Sequence, residues 1–215
     1  GSVPMSKLYK KQTLGEEIAN SISHGIGGLL AIAALVVMLV QANSGGEIAS
    51  AIVFSLGALM LYTMSSLYHA FKEGSKVKRV FQRFDHISIY VLIGATFAPI
   101  FILIVPKPMG WFLLVVQWLI IVLGIVFKAV RIHKFQVFHL GLFLLLGWSG
   151  LALVGPLYAA SHMAFWFVLA GGISYTIGVI FYVFRLFKFS HFVWHLFVLF
   201  GTILHFVAIE VVFFL

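Results

Sequence analysis

Apolar residues run almost unbroken for about 20 positions at a time along this chain, and polar residues collect in short clusters between the runs. A stretch of that length is what an α-helix needs to cross a bilayer. Such runs occupy 18–41, 48–71, 85–105, 109–128, 137–158, 163–184 and 190–214. The breaks carry turn or charge signals: ANSGGE, KEGSKVKRVFQR, PKPMG, KAVRIHK, GPLYAASH and RLFKFS. The runs are continuous rather than short and alternating, which predicts spanning helices and not a barrel. The predicted fold is an all-α membrane protein, a seven-transmembrane helix bundle with no soluble domain, long linker or tandem repeat. It divides into a short cytoplasmic segment, 1–17, and the seven-helix domain, 18–215. The opening Gly-Ser-Val-Pro before Met5 reads as an expression remnant, and no cleavable signal is evident. Pro99 predicts a kink in the third helix.

Composition agrees with this pattern and narrows the chemistry. The chain is 62% hydrophobic and 9% charged, more apolar side chain than a water-soluble domain can hide. It has no cysteine, so disulfides and thiolate metal sites are excluded. The net charge of +8 could suggest nucleic acid, but its placement gives a different reading. In a seven-span chain, all but Lys107 of the 14 Lys and Arg fall on one side. The positive-inside rule makes that side cytoplasmic, with the N-terminus inside and the C-terminus outside. No nucleic-acid partner is expected.

The topology sorts the polar residues by depth. His69 lies one turn before the cytoplasmic end of the second helix, with Ser65 one turn deeper on the same face. Asp85 opens the third predicted span. His191 and His195 lie one turn apart at the start of the seventh. Glu17, Asn20 and His24 share a face at the start of the first. Four helices thus bring polar groups to one level. Two histidines at i, i+4 can bind one ion from a single helix, and His69 would make a third ligand. A His-x-x-x-His pair alone is a weak sign, since such pairs also bond to backbone or to each other. Ionisable groups within a membrane are functional by default, and the matched depth strengthens the metal reading. Three protein ligands leave a fourth position for water, as in catalytic zinc sites. Without cysteine, zinc is the first choice and other divalent metals remain open. Asp85 could hold the water, Ser65 could bond to water or substrate, and Glu17 and Asn20 could support the ligands. His86 reads as a polar edge residue. His133 and His139 are expected at the headgroups and His162 on the outer side. His205 is about 15 Å farther along its helix than His195, out of reach of the site.

The motifs EEIANSISH (Glu17, Asn20, His24), SSLYH followed by FD (Ser65, His69, Asp85) and SHFVWH (His191, His195) resemble the hemolysin III family. That family is the bacterial branch of the progestin and adipoQ receptor superfamily. The resemblance runs from about residue 15 onward and implies seven helices with the N-terminus inside. It implies zinc held by residues matching His69, His191 and His195. An aspartate matching Asp85 holds the metal's water, and a serine matching Ser65 lies close by. The related alkaline ceramidases are zinc-dependent lipid amidases. The chain lacks the long cytoplasmic extension of the receptor branch, which argues against hormone signalling.

These residues point to a zinc-dependent hydrolase of a lipid amide or ester in a bacterial plasma membrane. The apolar bundle interior would take the acyl chain of a membrane lipid or fatty acid. Asp85 would be the base or water-positioning group, and Ser65 would assist the oxyanion. A membrane-lytic, pore-forming protein is a second reading, and a lipid sensor with structural zinc is a third. A retinal photoreceptor is disfavoured, because the last helix has Lys188 only at its start and no lysine at its middle.

Overall fold

The computed structural model describes residues 11–152 and 155–215. Among them are eight helices and no strand: α1 (Leu14–Gln41), α2 (Gly45–Ala70), α3 (Lys76–Leu103), α4 (Met109–Val130), α5 (Gln136–Ala152), α6 (Gly155–Ala160), α7 (His162–Phe184) and α8 (Ser190–Phe213). Six of them, α1 to α4, α7 and α8, are long and apolar enough to cross a membrane, and α5 is a shorter apolar helix. The Gly-Ser-Val-Pro stretch, Lys7 and Lys10 lie outside the described residues, as do 153–154.

The run 137–158 is covered by α5 and α6, which lie on either side of 153–154. Three helices begin well ahead of their predicted starts: α1 at Leu14 rather than 18, α2 at Gly45 rather than 48, and α3 by the widest margin. The third helix begins at Lys76 rather than 85. Ser75 caps it, its Oγ accepting the N–H of Lys78 at 3.2 Å. Lysine and arginine are good helix formers, so the apolar run marks only the part of α3 that meets hydrocarbon. Pro99 lies inside α3, which continues to Leu103.

The third helix is at the centre of the bundle: 61% of its apolar window is buried, against 22% for α4 and for α7. The pairs α1–α2, α2–α3, α3–α4 and α7–α8 pack against each other along the chain, and α8 closes back onto α1. The first two helices approach closely at Gly27, where a Cβ would stand 2.5 Å from the ring of Tyr62. Farther from the helix ends, the Tyr62 hydroxyl donates to Thr202 Oγ1 at 2.6 Å, and Tyr175 meets the same oxygen. That shared hydroxyl joins α2, α7 and α8. Large apolar side chains such as Leu29, Leu123 and Val137 point outward, as expected when lipid is the solvent.

Two basic residues and one histidine turn inward, against the sequence reading. Lys78 and Lys128 are buried rather than spread along the charged rim. Lysine stems are long and apolar, so the ammonium can reach oxygen atoms well away from its own Cα. Lys128 Nζ donates to the carbonyl of Ile132 at 3.0 Å, near the C-terminus of α4, where unpaired carbonyls favour a cation. His139, expected at the headgroups, is buried against Tyr90, whose hydroxyl bonds its Nδ1. His133 remains exposed.

Candidate metal centre

The first turn of α1 organises the site. Thr13 caps the helix, its Oγ1 accepting from Glu16 N–H at 3.2 Å while Glu16 Oε2 accepts from Thr13 N–H at 2.6 Å. The other oxygen of the same carboxylate accepts the N–H of Phe189 at 3.0 Å. Phe189 precedes α8 in a left-handed conformation, φ 68°, and offers no side-chain cap. One glutamate therefore satisfies backbone donors at the starts of two helices. His191 lies two residues farther on.

The three expected ligands come together. His69, His191 and His195 each offer one ring nitrogen, and these lie within 4.8 Å of one another. Their ring centroids are 4.7–5.0 Å apart. Hydrogen bonds behind the rings set which nitrogen faces inward. His69 Nδ1 is 2.9 Å from a Glu17 carboxylate oxygen, which accepts, so Nδ1 carries the proton and Nε2 keeps its lone pair. His195 Nδ1 is 3.1 Å from the carbonyl of Asn20. A carbonyl can only accept, so here too the proton is on Nδ1. Ser23 Oγ lies 3.2 Å from the same nitrogen. His69 Nε2 and His191 Nδ1 are buried with no hydrogen-bond partner. Unpaired buried nitrogens are costly, and an ion between them removes the cost. A carboxylate behind one histidine and a carbonyl behind another is the usual support for metal-binding imidazoles. The donor set fits a divalent metal such as zinc.

The remaining expected residues surround this cluster. His24 stacks on His195 with centroids 3.5 Å apart and an angle of 9°, and its Nδ1 is 2.6 Å from Ser65 Oγ. The Asp85 side chain interacts with the Ser65 hydroxyl and lies within electrostatic reach of His69. Ser65 thus stands between His24 and Asp85. Asn20 contributes in two ways: its backbone carbonyl meets His195, and its side-chain amide donates to Glu17 at 3.0 Å. His205 is separate from the site, donating from Nε2 to the carbonyl of Val168 at 3.0 Å.

Three contributors were not anticipated. Lys78 Nζ reaches back from α3 to Glu17 Oε2 at 2.6 Å and also donates to the carbonyls of Tyr68 and Phe71. Ser23 and Glu16 are the others. Ser23 had a readable signal, since it lies three residues after Asn20 on the same face. Lys78 was hidden in a basic run with no periodicity to single it out.

Multiple apolar helices and a three-histidine cluster, with His69 and His195 buried and His191 partly so, define an integral, multi-pass membrane protein with a candidate metal site. The chain belongs to the haemolysin-III related family, whose model matches residues 12–206. It is 35% identical over 202 residues to Hemolysin-3 of Bacillus cereus, covering 92% of each chain. A Hemolysin-3 homolog of Bacillus subtilis (strain 168) is 39% identical over 194 residues, 88% of this chain and 91% of the relative. The Monocyte to macrophage differentiation factor of Homo sapiens is 26% identical over 215 residues, 96% of this chain and 87% of the relative. The family and the apolar helices together are consistent with a bacterial cell membrane.

Proposed function

We propose that this protein is a zinc-dependent hydrolase acting on the amide or ester of a membrane lipid, at the cytoplasmic surface. The observation that supports it most is the convergence of three imidazoles, two of them with outer hydrogen bonds that leave Nε2 free and the third with an unpartnered Nδ1. His69, His191 and His195 would hold the metal, with Glu17, Asn20 and His24 steadying their rings. Zinc bound there supplies a Lewis acid and brings the pKa of a water to about 7. Asp85 takes the proton of the attacking water. Once Asp85 carries that proton, the Ser65 hydroxyl turns from it to donate to the oxyanion that develops on the substrate. The ligand is a membrane lipid or the fatty acid released from it.

The topology proposed with this function has seven spans, α5 and α6 together forming the fifth, within one domain. Its N-terminus is cytoplasmic and its C-terminus external. The charge bias that supports it persists without Lys78 and Lys128, since Lys72, Lys76, Arg79, Arg83, Arg131 and Lys134 remain on the same side. A reporter fused after Leu215 is expected to read as external. A cytoplasmic reading would overturn the orientation and the inner position of the site.

The metal is tested by composition. Zinc per chain, measured by elemental analysis, is expected to fall in His69→Ala and in His191→Ala, with thermal stability falling alongside, because an ion that binds only the folded state stabilises it. Unchanged zinc in both variants would rule out this ligand set. Turnover is tested with zinc-loaded protein in lipid, measuring fatty acid released from ceramides, phospholipids and acyl-amino acids. Release no greater than from protein-free bilayers, in every class, would end the hydrolase reading.

A further inference from the structure

A notch of about 240 Å3 opens between the first two turns of α1 and the last turn of α2. Its two walls differ. Leu14, Ile18 and Ile22, spaced i, i+4, i+8, form one stripe and are 79%, 50% and 57% exposed. Glu17, Ser21 and His69 form the other wall, so the notch leads to the edge of the metal centre. Deeper in the membrane, the helices are tied by reciprocal bonds. Ser21 Oγ donates to the carbonyl of Ser66 at 2.9 Å, and Ser66 Oγ donates to the carbonyl of Ser21 at 2.8 Å. That clamp closes the inner end.

The hydrogen-bonding capacity of the polar wall restricts what can bind. No lysine or arginine is among the lining residues, and Lys78, which is bonded to Glu17, has all three donors taken by Glu17, Tyr68 and Phe71. The Ser21 proton is taken by Ser66. The His69 Nδ1 proton is taken by Glu17. What remains on this wall is acceptor capacity. Glu17 receives three bonds, where a carboxylate has about four lone-pair sites, and Ser21 keeps its oxygen lone pairs. A phosphate would set acceptor against acceptor and a second negative charge beside Glu17. A hydroxyl or amide N–H supplies the donor that this wall lacks. At about 30 Å3 per water, the volume equals roughly eight waters, enough for a glycerol-sized head and too little for a whole acyl chain.

We infer that this notch binds the head of a neutral, hydrogen-bond-donating membrane lipid, entering sideways from the bilayer while its chain stays in the lipid along Leu14, Ile18 and Ile22. Binding itself is independent of the proposed hydrolase function, and only cleavage of the bound lipid rests on it.

The experiment uses zinc-loaded protein in phosphatidylcholine nanodiscs and a monoacylglycerol carrying a photoactivatable group near its head. Cross-linked residues are mapped by mass spectrometry. The label is expected on 14–22, with unlabelled monoacylglycerol competing about tenfold better than phosphatidylmethanol, whose head is a phosphate with no donor, the worth of one or two hydrogen bonds. Ile18→Trp and Ile22→Trp put an indole into the notch from positions that face lipid. Both should lose the label and keep their zinc. Labelling spread equally to the outward-facing Leu29, Val36 and Val40 would overturn the site. So would equal competition by phosphatidylmethanol, or wild-type labelling of both tryptophan variants. Fatty acid release without label in the notch would overturn this inference and leave the hydrolase standing. Label in the notch without release from any lipid class would do the reverse.

Discussion

Asp85→Asn is expected to keep most of its zinc and to lose hydrolysis of a long-chain amide or ester by about 10²–10⁴-fold, the usual contribution of a positioned base. Asparagine preserves the shape of the side chain and removes its ability to take a proton. Metal retention is expected from geometry, because the histidine nitrogens form the converging set and Asp85 stands beside Ser65 at its margin. Ser65→Ala should be milder. It removes one hydroxyl and leaves the carboxylate in place, although His24 Nδ1 then loses its 2.6 Å partner. Fatty acid release by purified, zinc-loaded proteins in lipid is the measurement, with zinc content determined on the same samples. Equal release by wild type and Asp85→Asn would remove Asp85 from the chemistry. Loss of zinc in parallel with activity would make it a structural part of the metal site.

Lys78→Met is expected to cost about 3–5 kcal/mol of stability, the range for removing one partner of a buried ion pair. Glu17 keeps His69 and Asn20 but loses its only fully charged partner among the described residues, at 2.6 Å. The carbonyls of Tyr68 and Phe71, at the end of α2, lose a donor as well. The carboxylate that orients His69 is then less well held. Changes behind a metal ligand typically weaken metal affinity by about 10–100-fold. Chemical unfolding in detergent reads the first effect and zinc titration the second. Adding Glu17→Gln should recover part of the stability, since no charge is left unpaired, without restoring zinc affinity. A Lys78→Met protein that unfolds at the wild-type denaturant concentration would show that the pair contributes little.

The helices were legible in the sequence because a bilayer sets both their length and their polarity. Their ends were legible only where the hydrocarbon boundary and the helix end coincide, as at Met109 and Ser190. At Lys76 they do not coincide, and the charged turns of α3 continue the helix outside the apolar run. Meeting of the histidines was anticipated from an i, i+4 pair and a shared depth, both of which are consequences of helix geometry. Other parts of the site carry no such pattern. Asn20 reaches His195 through its backbone carbonyl, which any residue at that position would present. The direction of Lys78 depends on how α2 and α3 lean together. His139 is buried because α5 packs under Tyr90, a tertiary fact that its place beside a basic loop does not reveal.

The bonds from α1 to α8 also bear on when the site comes into being. Glu16 meets Phe189, Ser23 meets His195, and Asn20 meets His195, contacts separated by 172–175 positions along the chain. During synthesis the first helix enters the bilayer long before the last one leaves the ribosome. Until then Glu17 and His69 can pair within the first hairpin, but two of the three candidate ligands are still missing. Contacts of such long span form late, after the loops between them have closed. A metal held by these three histidines would therefore be acquired at the close of biogenesis, and a chain stalled before its last span would lack two of the nitrogens needed to hold it.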